Sequence, residues 1–237
     1  MADEIEKIVV LNSKGGCGKT TIATNLASLY SRKGYATALM DYDPQGSSLR
    51  WLKMRPKDSG SIYAVPAAQR QKTASTLAWQ MRVPPETQRV IIDAPAGVDD
   101  LQLQNFVRQA NAIIIPVLPS PIDIHAATRF IETLLLVGKV RQHSVRVGVV
   151  ANRVKQNTRI YQSLQCFLDT LKLPLITTLR DTQHYVRAAE RGIGVHDLWD
   201  KRADIDREQW LPLWQWLEND TSIIHSPPSS VVSSVVM

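Results

Sequence analysis

Cysteine is scarce in this 237-residue chain: Cys17 and Cys166 are the only two, and they form neither a CxxC pair nor a cluster with histidine. A disulfide scaffold is excluded, no thiolate zinc site is indicated, and a reducing cytoplasm is the default setting. Long apolar runs are missing as well. Nothing approaches the ~18–20 residues of a membrane-spanning helix, and the start, with Asp3, Glu4 and Glu6, lacks the apolar stretch of a secretory leader. With 11 glycines and 13 prolines, collagen-like and low-complexity classes drop out. No segment repeats at a period of ~20–50 residues, which argues against a solenoid or propeller. What is present, 44% hydrophobic and 21% charged residues, suits a globular domain able to bury a sizeable core. A net charge of +6 permits contact with a polyanion without saying which.

Apolar runs of strand length recur at residues 8–11, 36–40, 90–92, 112–117 and 145–151, with a weaker one at 175–179. Because they are unbroken rather than alternating, they read as strands covered on both faces. Segments with helical spacing separate them at 20–32, 101–109, 123–140 and 158–171, long enough for the crossovers that parallel strands require. A short strand is expected at 62–65 and a helix near 69–81. The fold class is α/β, a doubly wound and mostly parallel sheet with helices on both faces. One domain spans residues 1–218, followed by a Ser/Pro/Val-rich tail over 219–237.

The first strand runs into Asn12-Ser13-Lys14-Gly15-Gly16-Cys17-Gly18-Lys19-Thr20-Thr21 and then a helix. This strand–turn–helix setting is the one a phosphate-binding loop needs. Glycines let the backbone turn tightly and aim N–H groups at phosphate oxygens, and the helix N-terminus adds partial positive charge. Lys19 would reach the β- and γ-phosphates, and the Thr20 hydroxyl would bind Mg²⁺. Ser13 stands where the usual pattern has glycine, and Lys14 follows it. By spacing alone Lys14 is either a solvated loop cation or a phosphate contact.

The second strand ends in Asp41-Tyr42-Asp43-Pro44-Gln45-Gly46. Two carboxylates two apart at the carboxyl edge of a parallel sheet can order a metal's waters or position an attacking water, or the stretch can be a turn with an Asx cap. Asp93 closes the run Val90-Ile91-Ile92. A buried strand ending in Asp is what a Walker B carboxylate requires; the alternative is a cap or turn residue.

The run from Lys14 to Thr20 resembles the deviant Walker A motif of the ParA/MinD ATPases. Asp41 to Gly46 is similar to that family's switch I, Asp93-Ala94-Pro95-Ala96-Gly97 to its Walker B and switch II, and Val149-Val150-Ala151-Asn152-Arg153 to the strand whose terminal Asn reads adenine. The resemblance implies a P-loop ATPase that hydrolyses ATP with Mg²⁺ and forms a homodimer around two nucleotides. It implies that Lys14 crosses the interface to the partner's ATP, that Lys19 acts on the phosphates, and that Asp43 orients the hydrolytic water. Thr20, Asp41 and Asp93 would surround the metal. The nucleotide would be bound by Lys14, Gly15, Gly16, Cys17, Gly18, Lys19, Thr20, Thr21 and Asn152, with the Cys17 thiol incidental. The amide of Asn152 carries the donor and acceptor that adenine's edge needs, although taken alone it is an ordinary turn residue.

Relatives in this family bind either DNA or membranes. The last expected helix, residues 206–219, places Trp210, Leu213, Trp214 and Leu217 on one face with acidic residues and no lysine. That composition suits core packing better than a basic membrane-surface helix. Candidate DNA contacts are Arg180, Arg187, Arg191, Lys201 and Arg202, with Arg187 and Arg191 on one helix face, although charge runs are also simply solvated. Nothing before Lys7 has the length of a helix-turn-helix domain, so sequence-specific readout is not expected. The resemblance thus implies a bacterial, cytoplasmic, nucleoid-associated ATPase that positions a plasmid, a chromosome or a protein assembly such as a carboxysome or chemoreceptor array. A ParB-like protein or cargo adaptor with a basic N-terminal segment would stimulate hydrolysis. A MinD-like membrane-associated ATPase is the alternative.

Overall fold

The computed structural model describes residues 5–68, 83–138, 140–155 and 173–219, with a few positions between 162 and 170. The expected helix near 69–81, most of the one over 158–171, Cys166 and the tail beyond Asn219 lie outside the described residues.

Seven strands form one sheet: β1 (Glu6–Val10), β2 (Thr37–Asp41), β3 (Ile62–Pro66), β4 (Arg89–Asp93), β5 (Ala112–Val117), β6 (Arg146–Val154) and β7 (Leu175–Arg180), in the order β3-β2-β4-β1-β5-β6-β7. All pairings are parallel. Successive side chains on a strand point to opposite faces, and both faces are covered. Ile8 and Val10 join Leu39, Ile91 and Ile114 beneath α1 (Lys19–Arg32), whose Ile22, Leu26 and Tyr30 are fully buried. Val9 joins Met40, Ile92 and Ile113 on the other face, beneath α3 (Asp100–Gln109) and α4 (Pro121–Leu136) through Phe106, Val107, Phe130 and Ile131. Each such side chain contributes roughly 1.5–3 kcal/mol on burial. That two-sided burial is why the strand sequences are unbroken runs.

Local chemistry sets the helix starts. Asp99 and Gln102 form a capping box at α3, and Ser120 caps α4 with Pro121 in its first turn, where a missing N–H costs nothing. β1 lies between β4 and β5 while the helices following β1 and β4 cover opposite faces, so the carboxyl ends of these strands open into the crevice where such sheets bind ligands.

Two expectations are corrected. The single helix over 206–219 is two, α6 (Asp204–Glu208) and α7 (Leu211–Glu218), because Pro212 lacks the N–H a helix interior requires and starts a new helix. Trp210, Leu213 and Leu217 are buried as expected. Glu218 accepts hydrogen bonds from Tyr30 Oη at 2.9 Å, Tyr35 Oη at 3.1 Å and Arg89 Nη2 at 2.9 Å, fastening α7 to α1 and β4. An apolar face committed in this way is not free to lie in a bilayer. β6 continues past 151 to Val154, so Asn152 sits within the strand rather than after it. The pairing with β7 shifts register between Ala151 and Val154, and Arg153 takes a φ of 53° there.

Candidate functional site

The turn from Asn12 to Gly18 joins β1 to α1 at the crevice. Asn12 anchors it: its Nδ2 donates to Pro116 O at 2.7 Å and its Oδ1 accepts from Lys14 N at 3.3 Å. Gly18 caps α1 with a φ of 99°, and a Cβ there would lie 2.1 Å from Asn152 Nδ2. Glycine is therefore required on two counts, backbone angle and space. Lys19 is buried, and its Nζ donates to Lys14 O at 3.0 Å, so the ammonium lies inside the turn. The Lys14 ammonium leaves the turn instead and pairs with Asp123 on the first turn of α4. Cys17 is buried with its Sγ against Lys14 O, and burial pushes the thiol up from its ordinary value. A protonated buried thiol is inert.

Asp41 and Asp93 stand side by side on paired strands, Asp41 opposite Asp93. Their environments differ. Asp41 is fully buried, and its oxygens accept Asp43 N at 2.9 Å and Leu49 N at 3.1 Å. It thereby organises the turn into α2 (Ser47–Met54), while each oxygen keeps a lone pair for a further donor. Asp43 is half-buried; its Oδ1 accepts from Gln45 N at 2.9 Å. Asp93 is 1% exposed, and neither oxygen has a hydrogen-bond partner among the described residues. Burial pushes its carboxyl up to about 7 and Asp41 adds to the shift, while Lys19 and the Thr20 and Ser48 hydroxyls, which lie close by without reaching hydrogen-bond geometry, pull the other way. An orphaned buried carboxylate beside the phosphate loop is the donor a divalent cation needs, and with the Thr20 hydroxyl it suits Mg²⁺. Ser48, whose buried Oγ also has no hydrogen-bond partner among the described residues, is a further member of this site that the sequence reading does not single out. Its signal was a second serine directly after the Asp41–Gly46 turn.

A concavity of about 470 Å³ opens between the start of α1 and the ends of β6 and β7, lined by Thr21, Asn152, Arg153, Arg180, Thr182 and Gln183. Its size suits a base with its ribose. The Asn152 amide is already engaged: Nδ2 donates to Cys17 O at 2.9 Å and Oδ1 accepts Arg153 N at 3.0 Å. It braces the phosphate loop and retains one N–H and one lone pair for a ligand.

The five cationic candidates separate. Arg180 is held in a fork by Asp206, with Nη2 to Oδ2 at 3.0 Å, because a fully buried carboxylate demands a paired cation; it is not a free DNA contact. Arg187, Arg191, Lys201 and Arg202 are exposed, and no ion pair involves them among the described residues. Arg187 lies on α5 (Gln183–Glu190) and Arg191 is the residue that ends it, so the two line one concavity without both belonging to one helix face.

The geometry agrees with comparisons to known proteins. Residues 8–195 match the CobQ/CobB/MinD/ParA nucleotide binding domain. The chain is 30% identical over 192 residues to maintenance of carboxysome distribution protein A of Halothiobacillus neapolitanus, covering 81% of this chain and 87% of that protein. It is 25% identical over 224 residues to septum site-determining protein MinD of Neisseria meningitidis, covering 78% and 82%. In fold it is similar to the ATP complex of Cyanothece McdA, with a TM-score of 0.68 at 17% identity over 90% of this chain and 97% of that one. A chain of the Aquifex aeolicus MinC:MinD cell division protein complex aligns with a TM-score of 0.66 at 20% identity over 93% of this chain and 98% of that one. A seven-stranded parallel sheet, a glycine-rich turn with two lysines and a match over most of the length lead to one conclusion: the chain belongs to the CobQ/CobB/MinD/ParA family of nucleotide-binding domains.

Proposed function

We propose that the chain is a ParA-type positioning ATPase that binds Mg²⁺ and ATP, dimerises around two nucleotides, binds DNA without sequence preference and releases it when a partner stimulates hydrolysis. The observation that carries this reading is the second lysine. Lys19 lies inside the turn, where it serves its own subunit's phosphates, while Lys14 points out of it and can serve a phosphate that the same subunit does not hold. A cation added from a facing subunit stabilises transition-state charge as an arginine finger does. Dimerisation thereby becomes dependent on ATP.

The triphosphate lies along the Gly15–Gly18 backbone with Lys19 beneath it, and its base enters the concavity beside Asn152 and Arg153. Thr20 and Asp93, with Asp41 adjacent, would hold a magnesium ion, which when bound would neutralise charge building on the phosphates. Asp43 accepts a proton from, or orients, the attacking water through Oδ2, its Oδ1 being held by Gln45 N. Hydrolysis removes the γ-phosphate that Lys14 holds across the interface, and the dimer opens. The chain is a switch rather than a metabolic enzyme. It works in the cytoplasm at the nucleoid, with a ParB-like protein or cargo adaptor as activator. The carboxysome names of two relatives make a protein assembly a cargo to test first, beside plasmids and chromosomes.

Sedimentation with random-sequence duplex DNA tests the reading. A non-hydrolysed ATP analogue should give a DNA-bound dimer and ADP a free monomer. Equal DNA binding with ADP overturns the switch, and binding of anionic vesicles in place of DNA favours the membrane alternative.

A further inference from the structure

Trp199 is 98% exposed, and the loop that carries it is fixed. Leu198 and Ala203 on either side are buried. Arg207 donates to Leu198 O at 2.7 Å and to Asp200 O at 3.3 Å. The Asp200 carboxylate accepts Arg202 N at 2.9 Å, and Asp197 accepts Gly194 N at 2.9 Å and the Ser28 hydroxyl. Backbone tied at positions 197, 198, 200 and 202 imposes the exposure of the ring between them. A side chain presented on a backbone that is already fixed adds no loop-ordering cost when it is buried against a partner, which lowers the entropy cost of binding.

The surroundings of the ring indicate the partner. Trp199 stands as a ridge between two concavities, one of about 400 Å³ lined by Arg32, Lys33 and Arg207 and one of about 470 Å³ lined by His184, Arg187 and Arg191. Lys201 and Arg202 follow it directly and are exposed. The acids beside it are occupied internally: Asp197 by Arg32 and Arg55, Asp204 by Arg207, and Asp200 by its cap and by His184 at 3.8 Å. Among the described residues Arg187, Arg191, Lys201 and Arg202 have no such pair, and neither has Asp58 on the wall of the second concavity, so four cations against one carboxylate leave the unspent charge at this edge positive. Lipid insertion needs contiguous apolar area, and Trp199 is the sole exposed apolar side chain of the 197–203 loop. One aromatic wedge flanked by arginines fits a stacked, phosphate-walled polyanion.

We infer that Trp199 is an aromatic contact to duplex DNA, inserted at a base step while Arg187, Arg191, Lys201 and Arg202 hold the adjoining phosphates. This rests on the proposed DNA reading and adds a non-electrostatic contact to it. It predicts affinity that survives in part at salt concentrations where purely ionic binding is lost.

The test uses the full chain with a non-hydrolysed ATP analogue and a labelled random-sequence duplex, titrated at several salt concentrations. Trp199→Ala should weaken binding about tenfold, the size of one base–aromatic contact, with the slope of affinity against salt unchanged. Trp199→Phe should recover much of that loss, while Arg187→Ala should reduce the slope. Duplex should quench tryptophan emission in the wild type and not in Trp199→Phe. Wild-type binding with an unaltered Trp199→Ala affinity and the same quench in Trp199→Phe overturns the inference and leaves the DNA reading standing. A wild type that binds no duplex overturns both. A Trp199-dependent emission change with anionic phosphatidylglycerol vesicles and none with duplex assigns the ring to a membrane and overturns it likewise.

Discussion

Lys14 and Asp123 form an ion pair between the phosphate loop and the first turn of α4. Burial pushes the Asp123 carboxyl up, but hydrogen bonds from Lys14 and from the Ser120 hydroxyl, with the Lys14 charge, outweigh it and hold the carboxyl below its ordinary value. The lysine that would serve the other subunit in the proposed dimer is thus held within its own, and such a dimer would have to draw it away from Asp123.

Asp123→Asn should therefore release Lys14. The pair is partly solvated, so it is worth about 0.5–1 kcal/mol. The ATP-dependent dimer should form at roughly a two- to fivefold lower protein concentration by sedimentation equilibrium. Lys14→Ala in the same experiment should give no stable dimer. An unchanged dimer in Lys14→Ala removes the contact between subunits from the mechanism.

Asp43→Ala should bind ATP as the wild type does and lose turnover by at least about a hundredfold, as removal of a general base does. Equilibrium nucleotide binding and phosphate release, measured on one preparation, separate the two effects. Normal phosphate release would relieve Asp43 of its catalytic role.

Asp93→Asn should have opposite effects on the free and loaded protein. At pH 8 without magnesium, the wild type holds a charged carboxylate in a site whose burial pushes it up to about 7. Its folded value exceeds its unfolded one, so the stabilisation of the acid form is complete below about 4, is lost progressively as pH rises, and is gone above about 7. The amide carries no charge, and the variant should be more stable by about 2–4 kcal/mol at pH 8, with the gap closing toward about pH 4. Addition of Mg²⁺ and ATP should raise the melting temperature of the wild type and not of the variant. Equal stabilisation of both would place the metal elsewhere.

His196 stacks edge-on against Trp210 with centroids 5.6 Å apart, and burial lowers its imidazole to about 4, with Arg32, Arg207 and Lys33 opposing the pull of Asp197. A folded value below the unfolded one means stability that is whole above about 6.5 and falls as pH drops toward 4, by about 1.4 kcal/mol per unit. Asp93 changes in the opposite sense across part of this window, so the useful quantity is the difference between the wild type and His196→Phe. That difference should shrink by about 3 kcal/mol between pH 6.5 and 4 in urea melts. Parallel curves would show that His196 has a hidden partner when charged.

Much of the site was legible because phosphate binding at a strand-to-helix turn uses contiguous residues. The run from Lys14 to Thr21 carries its glycines, lysines and hydroxyls in one stretch, and a buried strand ending in Asp93 declares itself by its apolar run. The doubly wound sheet was legible for a similar reason, since burial on both faces removes the polar alternation from every central strand. The fate of Arg180 was not legible, because its partner Asp206 lies 26 residues away and nothing in either neighbourhood signals the pairing. Pro212 could have marked the break between α6 and α7.

The sequence alone determined the fold class, the phosphate loop and the order of its carboxylates, because each depends on local backbone geometry and hydrophobic period. Only the tertiary structure decided how those groups are used in the free protein. It engages both oxygens of Asp41 and leaves both of Asp93 without a partner, turns Lys19 inward and Lys14 toward Asp123, and spends the Asn152 amide on the phosphate loop. It also separates the paired Arg180 from Arg187, Arg191, Lys201 and Arg202, which have no ion pair among the described residues, and places Trp199 between two concavities beside them. These outcomes depend on which distant strands and loops the sheet brings within hydrogen-bonding range and on which charges burial forces into pairs.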